Sequence, residues 1–300
     1  MTARVLTAKT VDLVALVKPN IMIMALLTAA GAMSLAPGTV ATAHALWLLA
    51  GTALIVGSAN TLNMWLERDI DCLMSRTKNR PLPGQRLMPT TALVFGALQG
   101  ILALPVLAVA GVIPAALGLL ALILYVGAYT PMKQHSHWAT WIGAVPGAMP
   151  ALMGWTAATG RIDLAGLAVF GVLFFWQIPH THAIAIYRQR EYEAAGLKTL
   201  PSTHGVASAR RAILGFLVVQ VAVSLTPALL GVAGTAYLVT AAVLGAMVLV
   251  QGFYGPARRS ESGALHFGGD GLPKWARSVF LTSIVYLPIL FAVMVASGQA

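Results

Sequence analysis

The sequence predicts an all-α integral membrane protein with about nine transmembrane helices. Three observations carry that expectation. Hydrophobic residues fill 58% of the 300 positions and charged residues only 9%, with a mean hydropathy of +0.80. A soluble domain is about one quarter charged, so the chain has too little polar surface to cover a fold in water. The apolar runs are continuous and rich in Leu, Ala, Val and Gly; a membrane barrel would alternate apolar and polar residues, so helices are favoured. The basic residues form short clusters between these runs, the pattern of membrane loops.

A span needs about 20 mostly apolar residues, which places helices near residues 19–35, 45–65, 90–110, 113–128, 141–158, 164–182, 212–230, 234–254 and 279–297. Residues 1–300 thus read as one membrane domain, with 1–18 as an N-terminal segment and the spans filling about 19–297. The run after Lys18 has basic flanks and no cleavage pattern, so it reads as a first span and not a removed signal. Of the 19 Lys and Arg, this topology leaves only Arg161 on the far side. The positive-inside rule then puts the N-terminus in the cytoplasm and the C-terminus in the periplasm, in a bacterial inner membrane. Basic clusters dispersed over several loops do not form the continuous footprint that nucleic acid requires, so no nucleic-acid partner is expected. Cys72 is the one cysteine, which excludes an intrachain disulfide and any multi-cysteine metal centre.

The acidic residues crowd onto the same side. Asp12, Glu67, Asp69, Asp71, Glu191, Glu193, Glu261 and Asp270 face the basic loops, and only Asp163 does not. The insertion rule does not sort acids, so they either neutralise the loops or carry chemistry. If the second span continues as a helix, Asn63, Glu67 and Asp71 recur every four residues and stack on one face over about two turns. Carboxylate and amide oxygens suit Mg²⁺, which also keeps room for phosphate oxygens. Arg76, Lys78 and Arg80 follow, and a guanidinium offers a planar fork to phosphate. This arrangement suits a membrane-bound diphosphate; a solvated loop with salt bridges is the plain alternative. A second cluster, Tyr187, Arg188, Arg190, Glu191 and Glu193, follows the sixth span. A carboxylate there, facing the first set, would complete a cage that stabilises departing diphosphate.

The segment from Asn63 to Asp71 with Arg76-Thr-Lys-Asn-Arg80-Pro-Leu-Pro83 resembles the first aspartate-rich motif of the UbiA-type intramembrane prenyltransferases. Tyr129-Thr-Pro-Met-Lys133, Gly143 to Pro150, Gly154-Trp155, Trp176-Gln-Ile-Pro-His180 and Glu191-Tyr192 resemble the haem-farnesylating branch, protoheme IX farnesyltransferase or haem O synthase. The resemblance covers about residues 18–205; the last three spans fit by number only. It implies helices around a central cavity open to the bilayer, with the site near the cytoplasmic face. It implies Mg²⁺ as cofactor and farnesyl diphosphate and haem B as substrates. Haem O is the implied product, with haem A synthase or terminal oxidase assembly as partner. It assigns Asn63, Glu67, Asp71 and Glu191 to catalysis and metal, and Arg76, Arg80, Lys133, Arg188 and Tyr187 to diphosphate. Glu67 and Glu191 stand where that family usually has Asp, which keeps the charge on a longer arm.

Imidazole is a common haem-iron ligand, so His180, His182 and Trp176 are the candidate haem-binding residues; a histidine bonding a loop at a span end is the plain alternative. At i, i+2 the two histidines do not share a helix face. Two rival functions stay open. The same architecture could join a polyprenyl chain to an aromatic quinone precursor, against which the Trp176–His180 segment argues. A transporter would need polar groups across the membrane, and no acid falls in mid-span.

Overall fold

The computed structural model describes residues 3–38, 40–254, 258–259, 265–266 and 271–298. Where the sequence reading left a polar segment, a helix forms, α1 (Ala3–Leu16), and it meets α2 (Pro19–Leu35) at a bend of 49°. The bend has a local cause. Pro19 disfavours the right-handed helical region for the residue before it, and Lys18 adopts a left-handed φ of 51°. For a residue with a Cβ that conformation costs roughly 1–2 kcal/mol, so its neighbours must hold it. Asn60 does so by donating its amide to the Val17 carbonyl at 3.0 Å.

The next long helix, α3 (Thr42–Leu66), is nicked at Glu67 and resumes as α4 (Arg68–Asp71). The i to i+4 ladder survives the nick: Glu67 N–H donates to the Asn63 carbonyl at 2.9 Å and Asp71 N–H to that of Glu67 at 2.8 Å. Helix α5 (Pro89–Ala110) ends at Gly111, whose φ of 134° makes the sharp turn into α6 (Val112–Leu122); a residue with a Cβ is strained there. Helix α6 widens into a π-helical stretch, Ile123–Tyr129, and continues through α7 (Thr130–Met132). Proline at 131 removes one backbone donor from this stretch, and the Thr130 hydroxyl donates to the Tyr125 carbonyl at 2.7 Å. Then come α8 (Ala139–Thr159), α9 (Leu164–Tyr187), the short α10 (Gln189–Ala194) and α11 (Leu200–His204), and the long α12 (Val206–Leu229) and α13 (Thr235–Tyr254). Two residue pairs, β1 (Arg258–Arg259) and β2 (Leu265–His266), lie antiparallel before the last helix, α14 (Gly271–Ala296). Glu261, Asp270 and Ala300 lie outside the described residues.

A long helix stands at each expected span, but the count of nine is not established. Seven of these helices are long and apolar enough to cross a membrane individually, or eight if the bent pair counts as one span. Helix α8 is not among them. It is built largely from Ala, Gly, Pro, Met and Thr, and its residues 148–157 are buried. Protein covers this second half of the helix, so it does not need the hydropathy of a lipid-facing span. Helices α12 and α14 also begin earlier than expected, at 206 and 271. Hydropathy marks the stretch inside lipid; the helix continues into the polar ends, where Trp275 donates to the Gly252 carbonyl at 3.0 Å.

Three apolar clusters fill the interior. One packs α2, α8, α9, α12, α13 and α14 around Trp155, Tyr237, Trp275 and Tyr286. A second joins α3, α5, α6 and α8 around Leu48, Leu107 and Met153. The third is small and bears on function. Leu16, Met64, Leu82, Leu87 and Ala92 bury together, which pins α1 and the loop after α4 over one end of the bundle.

Candidate active site

The expected acidic face forms at that end. Asn63, Glu67 and Asp71 are all buried, the first two tied to partners from distant parts of the chain and Asp71 to the loop that follows it. Lys18 Nζ donates to Asn63 Oδ1 at 2.8 Å. The Asn63 amide donates to Glu67 Oε2 at 2.9 Å and to the Thr130 hydroxyl at 3.1 Å. Lys133 Nζ donates to Glu67 Oε1 at 2.6 Å and sits 4.4 Å from the Tyr129 ring centroid. Arg80 donates to Asp71 Oδ2 at 2.7 Å. The π-helical turn thus delivers Thr130 and Lys133 to the face that α3 and α4 present.

The loop carrying Arg76 and Arg80 is ordered by its own bonds. The Thr77 hydroxyl donates to the Asp71 carbonyl at 2.8 Å, Gly84 N–H to that of Arg80 at 2.8 Å and Arg86 N–H to that of Pro81 at 2.9 Å. Arg86 then clamps α1 through Asp12, at 2.9 Å and 3.2 Å to its two oxygens. Arg76 is exposed, its backbone N–H donates to the Glu191 carboxylate, and its guanidinium forms no salt bridge among the described residues.

The second cluster closes from the other side. Ser75 donates to Glu191 Oε1 at 2.7 Å, and Arg188 donates to Glu191 Oε2 and to the Tyr187 hydroxyl, both at 2.8 Å. Hydrogen bonds from Ser75 first, and then from Arg188, hold the Glu191 carboxyl below its ordinary pKa. This pair is therefore fully formed at neutral pH and is lost only as pH falls through that lowered value. Tyr192 lies within electrostatic reach of Arg76, Lys133 and Arg188, and burial pushes its phenol pKa up, so it remains an O–H donor. Glu191 reaches the first motif through Ser75. Among the described residues no three carboxylate, imidazole or thiol groups converge on one point.

One atom tests whether a cation fits the first motif. Asp71 Oδ1 is buried and has no hydrogen-bond partner. Leaving such a group unpaired costs about 1–3 kcal/mol, more when it is charged. A hard cation matches this donor set, with two carboxylates and an amide oxygen on one face.

The haem candidates separate. Trp176 and His180 stack with ring centroids 4.6 Å apart, and both bond Ser283 of α14. His182 is buried with Nδ1 unpartnered, within electrostatic reach of His137. The sequence reading missed Lys18, Ser75 and Thr130 at the site. Lys18 left a faint trace, a lone basic residue before the proline that opens a span; Thr130 stood inside the Tyr129-Thr-Pro-Met-Lys133 segment without a role of its own, and Ser75 left no trace.

Fold and site together define a polytopic α-helical membrane protein with a cation-lined acidic cluster at one mouth of its bundle. Residues 25–267 match the UbiA prenyltransferase family. A protoheme IX farnesyltransferase of Anaeromyxobacter sp. (strain Fw109-5) is 46% identical over 284 residues, covering 94% of this chain and 92% of the relative. The protoheme IX farnesyltransferase of Myxococcus xanthus (strain DK1622) is 44% identical over 297 residues, covering 98% and 97%. The solved structure of a UbiA homologue from Archaeoglobus fulgidus bound to DMAPP and Mg²⁺ shares the fold, with a TM-score of 0.67, 19% identity and coverage of 94% and 99%. The chain belongs to the UbiA prenyltransferase family.

Proposed function

We propose that this chain, acting as one membrane domain over residues 1–300, transfers the farnesyl group of farnesyl diphosphate to a vinyl group of haem B, giving haem O for terminal oxidase assembly. The observation that carries this reading is the buried face of Asn63, Glu67 and Asp71, ringed by Lys18, Arg80 and Lys133. Cations over carboxylates at the mouth of an apolar bundle suit a substrate with an anionic head and a hydrocarbon tail.

In this reading Asn63, Glu67 and Asp71 would hold Mg²⁺, which would supply Lewis-acid charge to the diphosphate. Arg80 and Lys133 give up their carboxylates in part and turn hydrogen bonds to the phosphate oxygens, joined by Lys18, Arg76 and Arg188. Tyr192 keeps its phenol proton and offers the O–H as a hydrogen-bond donor to the same cluster. These donors are aimed where charge develops as the carbon–oxygen bond to the allylic carbon breaks, so they stabilise departing diphosphate more than bound substrate. Tyr187 fixes Arg188, and Glu191 with Ser75 closes the loop over the head group. The vinyl carbon bonds to the allylic carbon as diphosphate departs, and water adds to the carbocation left beside the porphyrin and releases a proton, leaving a hydroxyl there. Trp176 and His180 on α9 form the haem-facing wall, with His182 behind them. Prenyl transfer to a quinone precursor draws no support from that wall.

The deciding experiment incubates purified protein in lipid with haem B, farnesyl diphosphate and Mg²⁺ and separates the porphyrins by chromatography. A farnesylated haem is expected; transfer to an aromatic acid with haem untouched sinks the reading. His180→Ala is expected to raise the KM for haem about tenfold and leave that for farnesyl diphosphate nearly unchanged, since loss of a group serving one substrate alters that substrate's constant. Movement of both constants together makes His180 part of the fold.

Orientation follows from the charge bias. The N-terminus and the Arg76–Arg86 loop face the cytoplasm of a bacterial cell, and the C-terminus faces the periplasm. A reporter fused in that loop is expected to read cytoplasmic and one fused at Ala300 periplasmic. A cytoplasmic C-terminus removes the arrangement of nine spans.

A further inference from the structure

The contact between α9 and α14 contains more than packing. Ser283 lies 103 residues from His180 and is only 5% exposed, so its partners are protein groups and not bulk water. A serine hydroxyl has one proton to give and lone pairs to accept with. Ser283 Oγ lies 2.6 Å from the Phe280 carbonyl oxygen and 2.6 Å from His180 Nδ1. A carbonyl can only accept, so the hydroxyl proton goes to Phe280. The hydroxyl oxygen must then accept from the imidazole, which puts the ring proton on Nδ1.

The other ring nitrogen follows by elimination. In neutral imidazole, a proton on Nδ1 leaves a lone pair on Nε2. His180 Nε2 has no partner among the described residues, and unlike His182 Nδ1 it is not sealed from the surface. The ring is also held in place. Trp176 stacks on it, the Phe280 ring centroid lies 5.0 Å away, and Trp176 donates its indole N–H to the Ser283 carbonyl at 2.9 Å. Ser283 is thus bonded to α9 through both backbone and side chain.

We infer that Ser283 is a positioning residue for the porphyrin substrate. It locks His180 in the tautomer whose Nε2 lone pair is presented to the haem iron. A histidine that ligates metal generally donates its second N–H to a fixed acceptor, which sets the tautomer and ring direction. This rests on the reading of His180 as a haem contact and adds to it a residue from a helix whose sequence resembles nothing in the first motifs.

The test compares Ser283→Ala, Ser283→Thr and His180→Ala with the parent protein in lipid. The readouts are the absorption spectrum of bound ferric haem, the KM for each substrate and thermal stability. Ser283→Ala is expected to weaken haem about tenfold, the lower end of what loss of such an outer partner costs, and to shift the haem spectrum toward that of His180→Ala. The KM for farnesyl diphosphate stays within twofold, and Ser283→Thr, which keeps a hydroxyl, restores both haem readouts. If His180→Ala moves the spectrum and Ser283→Ala does not, the Ser283 assignment falls while the haem contact stands. If His180→Ala leaves the spectrum unmoved, the haem contact itself falls. Equal losses for both substrates with reduced thermal stability, unrescued by Thr, make Ser283 a packing residue and overturn the inference.

Discussion

Asp71→Asn is expected to lower turnover about 10²–10³-fold, equivalent to about 3–4 kcal/mol of transition-state stabilisation. The substitution keeps the shape of the side chain and removes its charge. In the parent protein one Asp71 oxygen accepts from Arg80 at 2.7 Å and the other is buried without a partner. An amide in that position presents an N–H₂ group to one of those two places. It either faces the Arg80 guanidinium, donor against donor, or occupies the position where a cation would take the oxygen. Both outcomes remove the electrostatic function and leave the helices in place, because the apolar cluster of Leu16, Met64, Leu82 and Leu87 does not involve Asp71. Activity across a Mg²⁺ titration, with gel-filtration profile as the control for folding, checks this. Near-parental turnover with ordinary Mg²⁺ dependence takes Asp71 out of the site.

Gly154→Val is expected to abolish accumulation of the folded protein. A Cβ at Gly154 would run into the Ala29 carbonyl of α2. The obstacle is backbone, so no rotamer change relieves it and the helices themselves must part. Overpacking a filled core costs about 1–3 kcal/mol and occasionally more, and here the contact lies where α2 and α8 cross. Small residues at such crossings let helix backbones approach closely in lipid. Yield of monodisperse protein in mild detergent measures the effect. A normal yield with normal activity shows that α2 and α8 can separate at no cost.

How much of this was legible in the sequence depends on the range of the signal. The period of four linking Asn63, Glu67 and Asp71 is local, and it survives even the nick at Glu67 because the backbone ladder continues through it. Both readings of the acidic residues also have their place. Asp12 neutralises Arg86 and fastens α1, whereas Asp71 retains an unpaired oxygen. The missed residues act over long separations. Lys18 reaches Asn63 across 45 positions, Thr130 reaches it across 67, and Ser75 reaches Glu191 across 116. Composition cannot report such pairs, since each residue is ordinary in its own neighbourhood. The helix α1 was missed for the opposite reason: its apolar residues are too scattered to fill a span, yet Leu16 still finds a buried place. Membership of the UbiA family was legible because its motifs are contiguous segments, and the match over residues 25–267 agrees.

Helix α8 raises a question of assembly order. The membrane insertion machinery sorts segments by their partitioning into lipid, one or two at a time as the chain emerges. Residues 139–159, rich in Ala, Gly and Pro, are not among the helices that qualify as spans by length and composition. The segment that follows, α9, is long and apolar enough to enter, and α8 packs directly against it and against α2. Secure placement of α8 is therefore expected to require α2 and α9, which supply the protein surfaces that bury it.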